Sequence, residues 1–393
     1  MGAGHDTVAA ELVRRARERG HGADVVDVLE LLPHPLGAAL QHGYRSAVLH
    51  APWAYAGVYR AMLRRGGGPR PSGVPLARLA AGPLTQRVQS AGADVVVPVF
   101  HLAAQLTGHL RERGLLRVPS AVCLVDFAVH RQWLHPGNDH YLCLTEQAAR
   151  EVREDIGTPA EATGPVVAPA FFEVRDIPYG TEAPARNAGA QEVCAAGERA
   201  PSAGLETTPR SSSASGAARW RERFARHAHG DRPVVLSAGA WGAASHLPGT
   251  ARLLARAGFL PVVLCGRNDR LRARCAQLPG VLAPDWVDDM PALLHAARAL
   301  VDNAAGQTAV QALAAGLPVV GHRPVPGHGA EGVARMAALG LSDAADDETA
   351  LLASLERLTA DGPERARRIA HGHALFRQDV LTRVADIARS ADA

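Results

Sequence analysis

The sequence contains no lysine, so each of its 42 basic residues is an arginine. This bias fits high-GC codon usage, although arginine also suits phosphate groups and anionic lipid headgroups. Aromatic residues make up only 4% of the chain, and the five cysteines form neither a CxxC pair nor a Cys/His cluster. The spacing excludes a zinc module, and an odd cysteine count without a signal peptide fits a reducing compartment.

Long hydrophobic runs and a strong net charge are also lacking. No run approaches the roughly 18 apolar residues that a membrane-spanning helix needs, so we expect any membrane contact to be peripheral. The net charge of +3 is too weak to indicate a nucleic-acid-binding protein. What remains is a globular composition, 47% hydrophobic and 21% charged, in a chain long enough for two domains.

Short apolar stretches alternate with helical patterns in both halves, which is typical of parallel sheets covered on both faces. The alternation breaks over residues 176–217, a segment rich in Ala, Gly, Pro and Ser that predicts a flexible linker or inserted loop. We therefore expect an N-terminal Rossmann-like domain over 1–175 and a C-terminal one over 218–362. A closing C-terminal helix is predicted over 363–393.

The predicted strands locate the chemistry, because doubly wound sheets bind ligands at the carboxyl ends of their strands. In the first half, strands are predicted over 23–28, 94–99, 120–125 and 140–144. In the second half, they are predicted over 233–237, 260–265, 280–283, 299–302 and 317–320. Helical patterns fill most of the intervals, beginning with residues 7–19.

Two stretches of the first half carry candidate chemistry. The run Gly2-Ala3-Gly4-His5 precedes the first predicted helix, where backbone N–H groups can approach an anion or a hydroxyl. His5 is either a general base or a residue near the helix N-cap. The run from Asp126 to Asp139 follows a buried strand, and it is either a site or a His/Trp-rich loop packed on the sheet.

Four turns of the second half also follow predicted strands. In one of them, small residues open a helix whose N–H groups and dipole can hold a diphosphate. Each turn alone is compatible with an ordinary strand-to-helix connection, whereas the ordered set at successive strand ends indicates a ligand site. The turns are Cys265 to Asn268, Pro284 to Met290, Asn303 to Gln311 and Pro324 to Gly329.

Together these residues resemble the family of monogalactosyldiacylglycerol synthases, which is related to the peptidoglycan N-acetylglucosaminyltransferase. Gly4-His5 is similar to the end of the family's glycine-rich loop. The block Asp126-Phe127 with His130 and Trp133 is similar to its first strand-end motif. The second half resembles the family at Cys265-Gly266-Arg267-Asn268, at Trp286 with Met290, at Ala305 to Ala312 and at Gly316-Leu317-Pro318.

The resemblance implies the α/β GT-B fold, in which two Rossmann-like domains face each other across a cleft. It implies an inverting, metal-independent glycosyltransferase that needs no cofactor and moves a hexose from a UDP-sugar to a lipid, diacylglycerol in the family. The acceptor would be taken from a membrane surface. This places the enzyme in the cytoplasm, peripherally associated with the inner face of the membrane.

The resemblance also implies roles for individual residues. His5 would be the base on the acceptor hydroxyl, with Asp126 as a second catalytic residue. Gly4, His130 and Trp133 would contact the acceptor. The UDP-sugar would be held by Gly266, Arg267, Asn268, Val287, Met290, Gly306, Gln307, Thr308, Gln311, Gly327 and His328.

Several positions depart from the family pattern. Gln311 stands where the family has a ribose-binding Glu, which removes charge assistance worth about 1–2 kcal/mol from a hydrogen bond. Ala305 replaces a glycine of the phosphate turn, and His328-Gly329 replaces a sugar-reading Gln-Glu pair. These changes leave the donor sugar open. They also keep three alternatives: a small-molecule glycosyltransferase, a nucleotide-sugar epimerase and a non-catalytic relative.

Two further expectations concern the first 65 residues. The family's first strand precedes its glycine-rich loop, yet Met1 lies on that loop, so we expect this strand to be missing and the natural start to lie upstream. Residues 36–65 combine arginines with Trp53, Tyr55 and Tyr59. This pattern suits a headgroup boundary, and it also suits an ordinary amphipathic core helix.

Overall fold

The computed structural model describes residues 3–65, 72–172, 213–244 and 246–391. The first two ranges contain α1 (Ala3–Glu18), α2 (Leu36–His50), α3 (Pro52–Val58), α4 (Val74–Ala77), α5 (Ala81–Ala91), α6 (His101–Glu112), β1 (Ala121–Cys123), β2 (His140–Cys143), α7 (Glu146–Ile156) and β3 (Ala160–Ala162). A π-helical turn, Tyr59–Leu63, follows α3 directly.

The last two ranges contain α8 (Ser213–Ala225), β4 (Pro233–Ser237), α9 (Leu247–Arg256), β5 (Leu260–Leu264), α10 (Asp269–Ala276), α11 (Met290–Ala296), β6 (Ala299–Asp302), α12 (Gln307–Ala314), β7 (Val319–His322), α13 (His328–Ala338), β8 (Ser342–Ala345), α14 (Glu348–Thr359), α15 (Pro363–His373) and α16 (Val380–Ala391). Among all described residues, no helix is both long and apolar enough to cross a membrane.

The sheet of the N-terminal half is parallel, in the order β1-β2-β3. The predicted strand over 94–99 lies beside β1 as an extended segment, and its Val96 and Pro98 carbonyls accept hydrogen bonds from the N–H groups of Ala121 and Cys123. The predicted strand over 23–28 is wrong. Within the described residues this segment has no sheet partner, and Val25 is 56% exposed.

The sheet of the C-terminal half is parallel throughout, in the order β5-β4-β6-β7-β8. The strands predicted over 233–237 and 299–302 are confirmed with the same bounds. The stretch 280–283 contributes only a bridge between Leu282 and Val262. The strand order changes direction between β4 and β6, and such a switch point opens a crevice at the carboxyl ends of the strands.

Alternate residues of β4 pack on opposite faces of this sheet, as expected for a strand buried on both sides. Val235 belongs to the apolar cluster that includes residues of α8, α11, α12 and α13. Val234 and Leu236 belong to the cluster that includes residues of α9, α10 and α14. The helix starts that follow the strands are thereby fixed at one edge of the sheet.

Two of the boundaries predicted from the sequence differ from those in the structure. α8 begins at Ser213, inside the predicted linker, and residues 176–212 of that linker lie outside the described residues. The predicted closing helix over 363–393 is two helices, α15 and α16. α15 packs on α12 and α14, whereas α16 returns to α1 of the N-terminal half.

Candidate active site

The residues predicted to bind acceptor and donor come from the two halves of the chain and meet at one cleft. A Cβ atom built at Gly4 would lie 3.2 Å from the Gln307 Cβ, so the first turn of α1 abuts the first turn of α12. Further from this contact, Tyr55 of α3 reaches His328 at the start of α13. The walls of the candidate site are therefore helix starts and strand ends from both sheets.

His5 lies in the first turn of α1 rather than in the predicted glycine-rich loop, because the helix already begins at Ala3. Its Nδ1 is hydrogen-bonded to the Val99 carbonyl at 2.7 Å, and its ring packs edge-on against Phe100. A carbonyl only accepts hydrogen bonds, so Nδ1 carries the proton and Nε2 keeps a lone pair. This geometry allows His5 to act as a general base.

Asp126 follows β1 and is held by two neighbours. The Trp133 indole donates to its Oδ2 at 2.8 Å, and His130 Nε2 lies 3.8 Å from the same oxygen. Trp133 and His130 are only 0% and 3% exposed. In this structure the two side chains orient Asp126 from inside the fold, and their contact with an acceptor stays a prediction.

Burial keeps the other imidazoles of this cluster neutral. It lowers the pKa of His101 to about 3 and holds the pKa of His130 well below its usual value, and nearby imidazoles add to both effects. Burial also lowers the pKa of His328, although the Asp126 carboxylate opposes this change. A proton taken up by His5 would thus face no second full positive charge from these rings.

The turn between β6 and α12 is built around Asp302. This buried carboxylate accepts from the backbone N–H groups of Ala304 at 2.9 Å and Ala305 at 2.6 Å. Burial raises the pKa of Asp302, and the backbone N–H donors oppose that change. Ala305 adopts a left-handed conformation, φ +51°, which costs about 1–2 kcal/mol for a residue with a Cβ.

The start of α12 keeps room for a ligand beside Gly306. This residue is the N-cap in extended conformation, and a Cβ atom built on it would meet no described atom within 4 Å. Thr308 and Gln311 are half-buried on the same helix. The Gln307 side chain points elsewhere, since its amide donates to the Val166 carbonyl at 3.0 Å. The backbone N–H of Gln307, rather than its side chain, therefore remains able to contact an anion at the helix start.

The turn from Cys265 to Asn268 is locked to the loop after β4. Gly266 has φ +56°, and a Cβ there would lie 2.3 Å from the Gly239 carbonyl oxygen. Asn268 caps α10 by accepting from Leu271 N at 3.0 Å and donates to the Gly242 carbonyl at 3.2 Å. The Asn268 side chain thus shapes this turn, and donor binding by Gly266, Arg267 and Asn268 stays a prediction.

The residues predicted to meet the nucleotide base form a more open wall. Val287 and Met290 are half-buried and pack against the core of the C-terminal sheet. The Arg267 guanidinium lies 5.4 Å from the centroid of the Trp286 ring, and Trp286 is 52% exposed. This exposed cation–π pair gives a flat surface at the rim, which sequence reasoning had not singled out.

Gly327 and His328, at the start of α13, contact the N-terminal half directly. Gly327 has φ +87°, and a Cβ there would lie 2.8 Å from Cγ of Tyr59. Tyr59 itself donates from its hydroxyl to Glu331 of α13. The predicted sugar-reading turn is thus shaped by tyrosines of the opposite half of the chain.

These tyrosines belong to α2, α3 and the π-helical turn, residues 36–63, which we call the cover. The Tyr44 ring packs edge-on against both Tyr55 and Trp241, the latter in the loop after β4. Tyr55 is only 6% exposed, whereas Trp53 is 77% exposed on the outer side. The stretch over residues 36–65, predicted to be either membrane-facing or part of the core, thus has one buried side and one exposed side. Sequence periodicity alone could not assign them.

One group of potential metal ligands in the described part of the chain consists of His109, Glu112 and His135, whose ligand atoms lie within 4.8 Å of one another. His109 Nε2 accepts from Arg78, and His135 Nδ1 accepts from the Gly137 N–H. A neutral imidazole has one lone pair for a cation. In His109 and in His135, this lone pair accepts a hydrogen bond from the protein. In this structure the two histidines therefore have a packing role.

Comparison with solved structures establishes the architecture as GT-B. The calicheamicin glycosyltransferase CalG4 aligns over 100% of this chain and 96% of its own length, with a TM-score of 0.56 and 16% identity. MurG of Acinetobacter baumannii aligns over 99% and 97%, with a TM-score of 0.53 and 13% identity. The predicted fold is confirmed, and the chain has the fold of a glycosyltransferase.

Sequence comparison then shows which proteins the chain is similar to. Residues 5–167 match the family model described as monogalactosyldiacylglycerol (MGDG) synthase. Similar curated proteins are named processive diacylglycerol beta-glucosyltransferase. The one from Bacillus cereus (strain G9842) is 22% identical over 68% of this chain and 60% of its own length. The one from Bacillus thuringiensis (strain Al Hakam) is 22% identical over 76% and 68%. The chain is thus similar to the MGDG synthases and to diacylglycerol glucosyltransferases, as its motifs predicted.

Proposed function

We propose that the chain is an inverting, metal-independent hexosyltransferase that transfers a hexose from a UDP-sugar to a lipid acceptor, diacylglycerol. One observation carries this proposal: Gly4, the neighbour of His5 in α1, packs against Gln307, the neighbour of Gly306 at the open start of α12. A base on one side and backbone N–H groups on the other are what a direct sugar transfer needs.

In the proposed reaction, His5 Nε2 takes the proton from the acceptor hydroxyl as that oxygen attacks the anomeric carbon. The bond from this carbon to the diphosphate oxygen breaks, and its electron pair leaves with UDP. The N–H groups at the start of α12, beginning with Gly306 as N-cap, stabilise the charge that develops on the diphosphate. A single displacement from the opposite side inverts the anomeric carbon.

The acceptor side supports a lipid. The outer surface of the cover exposes Trp53, and Val58 is 50% exposed beside the exposed Arg60. An aromatic ring, an aliphatic side chain and an arginine suit the boundary between headgroups and acyl chains. The similar Bacillus proteins are named for diacylglycerol. We therefore propose peripheral association with the cytoplasmic face of a membrane.

The test is incubation of the purified chain with diacylglycerol vesicles and UDP-glucose or UDP-galactose in EDTA, with glycolipid formation followed by mass spectrometry. We expect product with one of the two donors. Binding of UDP without product would assign the fold to a different acceptor, such as a small molecule. Absence of UDP binding would favour the non-catalytic alternative, for which Gln311 and Gly329 are the motivating residues.

His5→Gln is expected to lower kcat by about 10²–10⁴-fold while leaving UDP affinity unchanged, because it removes the base and no donor contact. Single-turnover transfer and UDP titration measure the two quantities. The matched control is His21→Gln, which changes an exposed histidine just beyond α1. Unchanged turnover in His5→Gln would remove this residue from the mechanism.

A further inference from the structure

His328 occupies the position proposed to read the donor sugar, and its ring is held by a residue of the other half of the chain. The Tyr55 hydroxyl lies 2.5 Å from His328 Nδ1, and their rings meet edge-on at 5.8 Å. His328 is half-buried.

The Tyr55 ring is packed in place by a second tyrosine. Tyr44 lies edge-on against Tyr55, with ring centroids 5.6 Å apart. Burial raises the pKa of both phenols, so both keep their protons. Burial lowers the pKa of His328, so its ring is neutral and has one donor nitrogen and one acceptor nitrogen.

The direction of the hydrogen bond between Tyr55 and His328 follows from the chemistry of its two members. A phenol has a single proton to donate, and an imidazole lone pair is a strong acceptor for it. We therefore assign Tyr55 as the donor and His328 Nδ1 as the acceptor. The proton of the His328 ring then lies on Nε2.

We propose that Tyr55 is a positioning residue that fixes the orientation and the Nε2–H tautomer of His328, and thereby determines which hexose the enzyme accepts. Residue 328 then offers a hydrogen-bond donor to a sugar oxygen. The tautomer is a property of the free protein, whereas the effect on hexose choice rests on the proposed function. Since ring and hydroxyl come from opposite halves of the chain, hexose choice depends on the closed arrangement of the cleft.

The first arm of the test measures the tautomer without any substrate. Two-bond ¹H–¹⁵N NMR of histidine-labelled protein reports which ring nitrogen is protonated, and the His328 signals are assigned by their loss in His328→Gln. We expect Nε2–H in the wild type and a shift toward a mixture of tautomers in Tyr55→Phe. A wild-type ring protonated on Nδ1, or an unchanged ring in Tyr55→Phe, would overturn the proposal.

The second arm measures hexose choice as the ratio of kcat/KM for UDP-glucose and UDP-galactose. In Tyr55→Phe we expect this ratio to change by about tenfold, with KM for the acceptor and affinity for UDP within twofold, because UDP has no hexose. In a His328→Gln background, Tyr55→Phe should add no further change. A ratio equal to that of the wild type would contradict the proposal.

Tyr59→Phe is the matched control. The substitution keeps the Tyr59 ring, which lies against Gly327 and 6.4 Å from the His328 ring, and removes only the hydroxyl group. That hydroxyl donates to Glu331 of α13 rather than to the His328 ring. The substitution should leave both the tautomer and the donor ratio unchanged, and equal effects in both variants would reduce Tyr55 to a general closing contact. If the wild type transfers no hexose, the proposed function fails, while the NMR arm still decides the role of Tyr55.

Discussion

Two of the contacts that join the halves of the chain have opposite character. At the back, α16 packs on α1 through a continuous apolar cluster. At the mouth of the cleft, the N-terminal half meets α13 through a hydrogen bond from Tyr59 of the cover to Glu331 and an ion pair between Glu151 of α7 and Arg335 at 2.8 Å. The residues of the back contact are Val8, Leu12, Ala16, Val380, Leu381, Val384 and Ile387.

This difference indicates that the contact between α1 and α16 persists when the two halves move apart, whereas the contact with α13 can open. Each buried apolar side chain at the back contributes about 1.5–3 kcal/mol, and none of this depends on a precise angle. Each hydrogen bond at the mouth contributes only about 1 kcal/mol, because water replaces it when the cleft opens. We infer that donor and acceptor enter at the mouth while α16 stays on α1.

The largest expected effect comes from breaking the back contact. Ile387→Ala should lower the free energy of unfolding by about 2–5 kcal/mol, because the side chain is only 3% exposed and leaves a cavity. Chemical denaturation measures it. Arg389→Ala, at an exposed position of the same helix, is the control and should change stability by less than about 0.5 kcal/mol. Equal values would refute the importance of the back contact.

A smaller effect on stability, with a larger one on activity, is expected from Gly327→Ala at the mouth. The left-handed φ of +87° and the close approach to Tyr59 should cost about 1–3 kcal/mol and raise KM for the donor. Gly340→Ala is the control at the other end of α13, since φ is +69° there and the nearest atom is His371 Nδ1 at 3.4 Å. If both variants lost the same activity, backbone strain alone would explain the loss, and the contact between Gly327 and Tyr59 would have no specific role.

The smallest expected effect concerns the charges beside the back contact. Glu11 accepts from Arg15 at 2.6 Å, and Arg15 also pairs with Asp379 at 2.8 Å, just before α16. Burial works to raise the pKa of Glu11, but hydrogen bonds from Arg14 and Arg15 outweigh it and hold the pKa below its usual value. The stabilisation is therefore fully present above the unfolded-state pKa and is lost as the pH falls through the folded-state value.

Glu11→Gln should lower the free energy of unfolding by about 1–2 kcal/mol at neutral pH. The difference from the wild type should shrink as the pH falls below about 4, where the wild-type carboxyl becomes protonated. Denaturation series across this range measure the effect. Glu18→Gln, which changes a largely exposed partner of Arg14, should show little pH-dependent difference. A constant difference at all pH values would contradict the assignment.

The sequence predicted the C-terminal sheet well, because its buried strands are short apolar runs with clear ends. It missed β8, whose residues Ser342–Ala345 include no apolar run and form a strand only because β7 lies alongside. The predicted strand over 23–28 failed for the converse reason, since a strand-like pattern needs a neighbour to pair with. The local sequence pattern indicates whether a segment can be extended, whereas strand formation also needs a partner strand that the rest of the fold supplies.

For the candidate site, motif resemblance located the correct strand ends but could not assign what each side chain does there. Trp133 and Asn268 match family motifs, yet the structure engages both in internal hydrogen bonds. Tyr55 and His101 carried no motif at all. Their positions follow from how the cover and α6 pack on the cleft, and such long-range contacts leave no periodic signal in the sequence.

The left-handed turn at Ala305 bears on how degenerate motifs are judged. The methyl group that makes this backbone conformation costly is itself buried, 4% exposed, in the main core of the C-terminal sheet, so packing offsets part of the strain. Asp302 holds the turn from beneath through two backbone N–H groups. Replacement of a glycine in a glycine-rich motif therefore does not by itself show that the site is lost. The left-handed backbone conformation that glycine favours is still adopted by the residue that replaces it.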